Sequence, residues 1–229
     1  MTTAPLFTID DSATDPDADV WFAEPAGFAA IPLDALLAYP GSSAADKLRG
    51  SFAPFLDAAT NETARQQFIS QLAQGQQLLG ALSEFGIVHC SIGLHHDDVH
   101  ETGATSGRPL LSFFTISWRD VAIAPRGVIA ARAVTSTAGH THIEYLELPC
   151  GPATLSETAL TASVDSGLPQ QPLLQVHAHV PHPDCKRLAV FTMNTTAVAR
   201  RAEYRVILRQ VVETVSFENP LEFGTSAER

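Results

Sequence analysis

The chain has 229 residues, of which 45% are hydrophobic and 17% charged, with a formal net charge of -11. That length fits one domain, or one domain with a long N-terminal extension, and the apolar content is ample for a single core. The acidity excludes general affinity for nucleic acid or an anionic membrane surface and reads first as a solubility device.

No window approaches 18 apolar residues, and the N-terminus has no basic region ahead of an apolar run, so neither a membrane span nor a signal peptide is expected. A soluble cytoplasmic protein is the default expectation. Arg outnumbers Lys and Ala is abundant, a bias that points to a GC-rich bacterial source. Three cysteines, Cys90, Cys150 and Cys185, show no C-x-x-C spacing and make no disulfide framework.

Residues 1–19 read as a flexible acidic leader, 20–220 as a single domain and 221–229 as a tail. After the leader, Trp21 and Phe22 open a strand that anchors a sheet edge, and Pro25-Ala26-Gly27 turns the chain into a second extended piece. Asp34 can cap a short helix through Ala38. Residues 43–85 are helical in character, with Phe68, Ile69, Leu72, Leu79 and Leu82 at helical spacing and Gly86 suited to the left-handed position that ends a helix. Alternation from Ile87 to His95 predicts a strand in which Cys90 is a buried thiol.

A polar loop over 97–107 leads to a strand at 110–118 that is apolar on both faces and therefore central. A helix should begin near Pro125 and stop before Gly139. Strands follow at 142–148 and 151–162, with a turn at Pro149-Cys150-Gly151. After a loop over 163–171, strands at 173–180 and 188–193 make another hairpin. The last helix carries Tyr204, Ile207, Leu208, Val211 and Val215 as one apolar stripe, with Thr195 or Thr196 placed to accept hydrogen bonds from its first turn. This order predicts an α+β fold: one antiparallel sheet packed with helices.

The two ends of the chain resemble the PsbP-like α/β/α sandwich superfamily, which also contains small actinobacterial lipoproteins and a Ran-binding nuclear import factor. The likeness is carried by the P-x-G-F turn (Pro25, Gly27, Phe28), by the closing strand from Leu188 to Thr196, and by the helix that runs to Ser216-Phe217. The chain also resembles uncharacterised actinobacterial proteins that open with W-F-x-x-P-x-G, here Trp21 to Gly27, and carry a P-x-G-P-A turn, here Pro149 to Ala153. The resemblance implies a binding or assembly protein, such as an accessory to a bacterial secretion or toxin system.

Nine histidines are the chemical oddity of the sequence. His95, His96, His100 and their acidic neighbours form one dense stretch. His140-Thr-His142 and His177-Ala-His179 each place two imidazoles on one strand face, since side chains alternate with period two. With Glu144 or Glu147 nearby, His140, His142, His177 and His179 are the candidate ligands for Zn or Fe. The stretch from Gly139 to Glu147 matches a cupin metal motif only poorly. Against the metal reading, Leu174, Val176, Ala178 and Val180 already supply a core face, which sends His177 and His179 to solvent or beneath a loop. The histidines are thus expected to lie scattered, without a common focus.

There is no G-x-S-x-G elbow and no P-loop, and no catalytic residue is assigned. Arg201, Arg205 and Arg209 line one side of the last helix at i, i+4 spacing. They read as a solvated face partly relieved by Glu213, or as a docking strip for an acidic protein partner. The expectation is therefore a non-enzymatic protein-binding or accessory module. The alternative is a metal-binding protein or metal-dependent enzyme using the strand histidines. A small-molecule carrier would need an apolar pocket between helix and sheet.

Overall fold

The structure is a computed structural model. It describes residues 19–31, 86–96, 109–136, 138–160 and 172–220, together with scattered positions between 41 and 66. The leader up to 18, the short helix at 34–38, the loops at 97–108 and 161–171 and the tail at 221–229 lie outside the described residues. So does most of the helix expected over 43–85, although Ser43, Asp46, Gly50, Ala53, Glu62, Arg65 and Gln66 have helical backbone.

Among the described residues, seven strands form one sheet: β1 (Phe28–Ala30), β2 (Ile87–His96), β3 (Pro109–Asp120), β4 (Thr141–Leu148), β5 (Gly151–Leu160), β6 (Leu173–Pro181) and β7 (Arg187–Thr195). Their order is β1-β2-β3-β7-β6-β5-β4, and every pairing is antiparallel. Two meanders, β1 to β3 and β4 to β7, meet where β3 pairs with β7, which gives β3 the interior place its apolar faces predict. Helix α1 (Arg126–Thr135) carries the chain from β3 across to the far edge at β4, and α2 (Arg201–Glu213) closes the domain.

The two helices cover opposite faces. Leu155 of β5 pairs with Ala178 of β6, and both join Phe114, Val176, Phe191 and Met193 in the main core against Tyr204, Leu208, Val211 and Val212 of α2. Thr154, paired with His179, faces the other way, and its hydroxyl donates to the Ala130 carbonyl of α1 at 3.1 Å. On that side Ile129 packs on Leu188 and Val190 of β7. Of the two places expected for His177 and His179, solvent or beneath a covering loop, solvent does not hold, because this face is covered: His179 is 2% exposed and His177 is half-buried.

Arg126 fastens the start of α1 to two turns, donating from Nε and Nη2 to the Pro181 carbonyl and from Nη2 to that of Cys150. Gly151, at φ 125, lies directly under this guanidinium, where a Cβ would collide with it. The P-x-G-P-A turn thus needs its glycine for backbone conformation and for space.

Two local expectations are corrected. Trp21 does not start a strand; it makes a single bridge to Ser216, and Phe22 is buried in the core edge-on to Phe114 and Phe191. Nor does a threonine cap α2, whose N-cap is Arg200 after a 3-10 turn at Val198–Arg200. Thr195 Oγ1 instead accepts from the Ala197 amide at 3.1 Å, fixing the turn ahead of the helix.

Candidate functional site

Beyond the patch under α1, the α1-side face of β5 to β7 is polar. Gln175 Nε2 donates to Asn194 Oδ1 at 2.7 Å, and Thr158 donates to Gln175 Oε1 at 3.2 Å. Thr158 also lies 2.9 Å from His177 Nε2, and Thr192 lies 3.1 Å from His177 Nδ1. Ser156 is 2.9 Å from His140 Nδ1, and Thr154 is 3.5 Å from His179 Nδ1. Register produces this array. Thr115, Thr192, His177 and Ser156 stand opposite one another across four strands, so their side chains share one row.

His140, His177 and His179 converge. Their ring centroids are 5.5 Å apart for His140 and His177, 5.6 Å for His140 and His179, and 5.9 Å for His177 and His179. The expectation of scattered imidazoles is therefore corrected for these three. The sequence concealed the grouping because His140 precedes β4 while the other two lie on β6, two strands away.

Burial, then the neighbouring His140 and Arg119, push the pKa of His177 down to about 3. Burial, then His177, His140 and Arg119, push His179 down to about 3, opposed by a hydrogen bond that the ring donates to the Thr154 backbone carbonyl. His140 is lowered by burial and then by Arg119. As the side chains stand, no group of three His, Cys, Asp or Glu donors among the described residues could hold a metal ion.

His142 leaves the group. A register shift between Thr141 and Glu144, with φ 49 at His142, breaks the period of two and turns its ring to Glu157, with Nδ1 3.5 Å from Oε2. Glu157 is 1% exposed and lies on the α2 face, a buried carboxylate among cations. Arg205 Nε stands 3.1 Å from its Oε1, and Arg201 Nη1 3.9 Å from its Oε2. Arg209 pairs with Glu144 of β4. All three arginines of the helical row thus meet carboxylates of the sheet, and the row's own Glu213 is not the residue that answers it. Glu157 was missed at the sequence level because a carboxylate is not expected on a core face, although Ala153 and Leu155 mark that face by alternation.

A second buried polar group was also missed. Glu24 and His89 are both buried with Oε2 and Nε2 3.0 Å apart, and the His89 ring lies edge-on to Phe22. Ser91 lies two residues along β2, fully buried, and its hydroxyl makes no hydrogen bond among the described residues. This is not the geometry of an activated nucleophile, which needs a base within reach and an exposed oxygen. Cys90 is likewise buried, and burial, then Glu24, raise its thiol to about 12, which keeps it protonated and inert.

The sheet edge at β4 has another character. Ile143 is 42% and Tyr145 62% exposed, and β4 has only β5 as a neighbour among the described residues. No described helix is long and apolar enough to cross a membrane. No family model, curated protein or solved structure matches the chain.

Proposed function

We propose that the protein is a binding or assembly module that takes an extended segment of a partner protein along the edge of β4. The observation that carries this reading is the exposure of Ile143 and Tyr145 on a strand with one edge unpaired among the described residues. An open edge presents unpaired amide and carbonyl groups, and natural sheets usually blunt such edges with lysine, proline or a bulge. The shift at Thr141 to Glu144 blunts the first half of β4, but the stretch from Glu144 to Leu148 pairs regularly and carries neither lysine nor proline. Addition of a strand gives affinity through the main chain and specificity through alternate side chains. With Glu147 exposed on the strand and a net charge of -11, the fitting partner segment alternates apolar and basic residues. The binding roles that the PsbP-like resemblance implies run in the same direction. The arginine row is a poorer docking strip, since its charges face Glu157 and Glu144.

The test uses an array of extended peptides with that alternation. Binding that slows amide exchange in β4 and falls at least tenfold in the Ile143→Lys/Tyr145→Lys double variant supports the reading. Failure of every such peptide to bind, or equal binding by the variant, rejects it.

A further inference from the structure

Pro152 fixes which backbone groups of β4 are open. It pairs with Glu147, and it has no amide hydrogen. In one kind of antiparallel pair the two residues exchange both N–H···O bonds, so Glu147 and Pro152 must form the other kind. The two kinds alternate along a regular ladder, and the register is regular from the Glu144–Leu155 pair to the Leu148–Gly151 pair. Leu146 and Leu148 therefore spend their backbone groups on β5. The amide and carbonyl groups of Tyr145 and Glu147 point the other way, to the edge that carries no strand among the described residues.

The side chains sort by the same alternation. Tyr145 stands opposite Thr154, so Tyr145 and Glu147 share the α1 face, and both are exposed. Leu146 and Leu148 point to the α2 face, where they are buried at the end of the main core. An added strand thus meets a tyrosine and a carboxylate on one face and two leucines on the other. We propose that the partner segment adds antiparallel across Tyr145 to Leu148, with basic residues opposite Tyr145 and Glu147 and apolar residues opposite Leu146 and Leu148. The register presupposes strand addition at β4.

Read from its own N-terminus, that segment runs apolar, basic, apolar, basic. The basic side chain opposite Glu147 meets its charge, and the one opposite Tyr145 lies against the ring face. The apolar pair lengthens the core beyond Leu146 and Leu148. A slip of one residue would exchange the rows and set cations against the core. Antiparallel addition matches every pairing already in the sheet and is the slightly more stable kind. Because Tyr145 and Glu147 bond outward, the partner amides that reach β4 belong to its basic residues, and those of its apolar residues point away.

The experiment uses a short peptide alternating valine and lysine, unmethylated, N-methylated at its central lysine amides, or N-methylated at its central valine amides. All three carry the same charge, so unspecific attraction to the acidic chain cancels between them. Lysine-amide methylation should weaken binding by about tenfold or more, and valine-amide methylation should leave it nearly unchanged. In the protein, the amides of Tyr145 and Glu147 should exchange quickly without peptide and slow on binding, while those of Leu146 and Leu148 change little. Equal losses from the two methylations, a larger loss from valine methylation, or protection gained at Leu146 and Leu148 instead overturns the register and leaves strand addition standing. Failure of the unmethylated peptide to bind overturns both.

Discussion

Glu157 and Glu144 show how placement decides what an ion pair is worth. Both meet an arginine of α2, but Glu157 is buried whereas Glu144 is half-exposed. Removing one partner of a buried pair strands a charge away from water, while an exposed pair trades protein contacts for water at little cost. Arg205→Ala should therefore destabilise by about 3 kcal/mol, the low end for breaking a buried pair. The low end applies because Arg201 and His142 remain within 3.9 and 3.5 Å of the carboxylate. Arg209→Ala should cost no more than about 1 kcal/mol. Urea unfolding with unchanged m-values measures both, and equal costs would show that Glu157 is better solvated than its burial implies. The thiols offer a second test at this scale. A neutral disulfide reagent should label the half-exposed Cys150 and Cys185 in the native protein and reach Cys90 only after unfolding. The buried state of Cys90 was legible from alternation along β2, whereas its neighbour Glu24 was not.

At the scale of elements, α2 sets Tyr204, Leu208, Val211 and Val212 into the main core. The apolar stripe at Tyr204, Leu208 and Val211 was legible because residues three and four apart share a helix face. Val212 joins them because the stripe is wide enough to take in both turns of the main core. Leu208→Ala should cost about 2–5 kcal/mol, the range for truncating a fully buried leucine. Val206→Ala, at a position 53% exposed, should stay within about 0.5 kcal/mol of wild type. Thermal unfolding of the pair checks this, and similar losses would mean that α2 does not sit as described. Strand β4 shows the opposite case. Its alternation looked regular in sequence, yet a bulge sends His140 and His142 to different faces, because a single inserted residue reverses every side chain beyond it.

For the molecule as a whole, the neutral imidazoles beneath α1 link stability to pH. His177 and His179 fall from an ordinary 6.5 to about 3 in the folded state. Below 6.5 the unfolded chain therefore binds protons that the native protein refuses, and stability is lost as pH falls from 6.5 toward 3. Each group can steepen that loss by up to about 1.4 kcal/mol per pH unit. The denaturant midpoint should accordingly drop between pH 6.5 and 4, and the His177→Gln/His179→Gln double variant should show a shallower slope. An unchanged slope would mean that these rings are hydrated enough to titrate normally.

The chain's own pattern determined the class of fold, most strand positions, both described helices and the face of β6 that enters the main core. All of these follow from apolar periodicity along a few neighbouring residues. Which polar groups meet was decided by strand order and by the second covering helix. His140 reaches His177 and His179 only because β4 pairs with β5, which in turn pairs with β6, and Glu157 meets the arginines only because α2 lies across that sheet. Such pairings join residues far apart in sequence, where local spacing carries no information about distance in space.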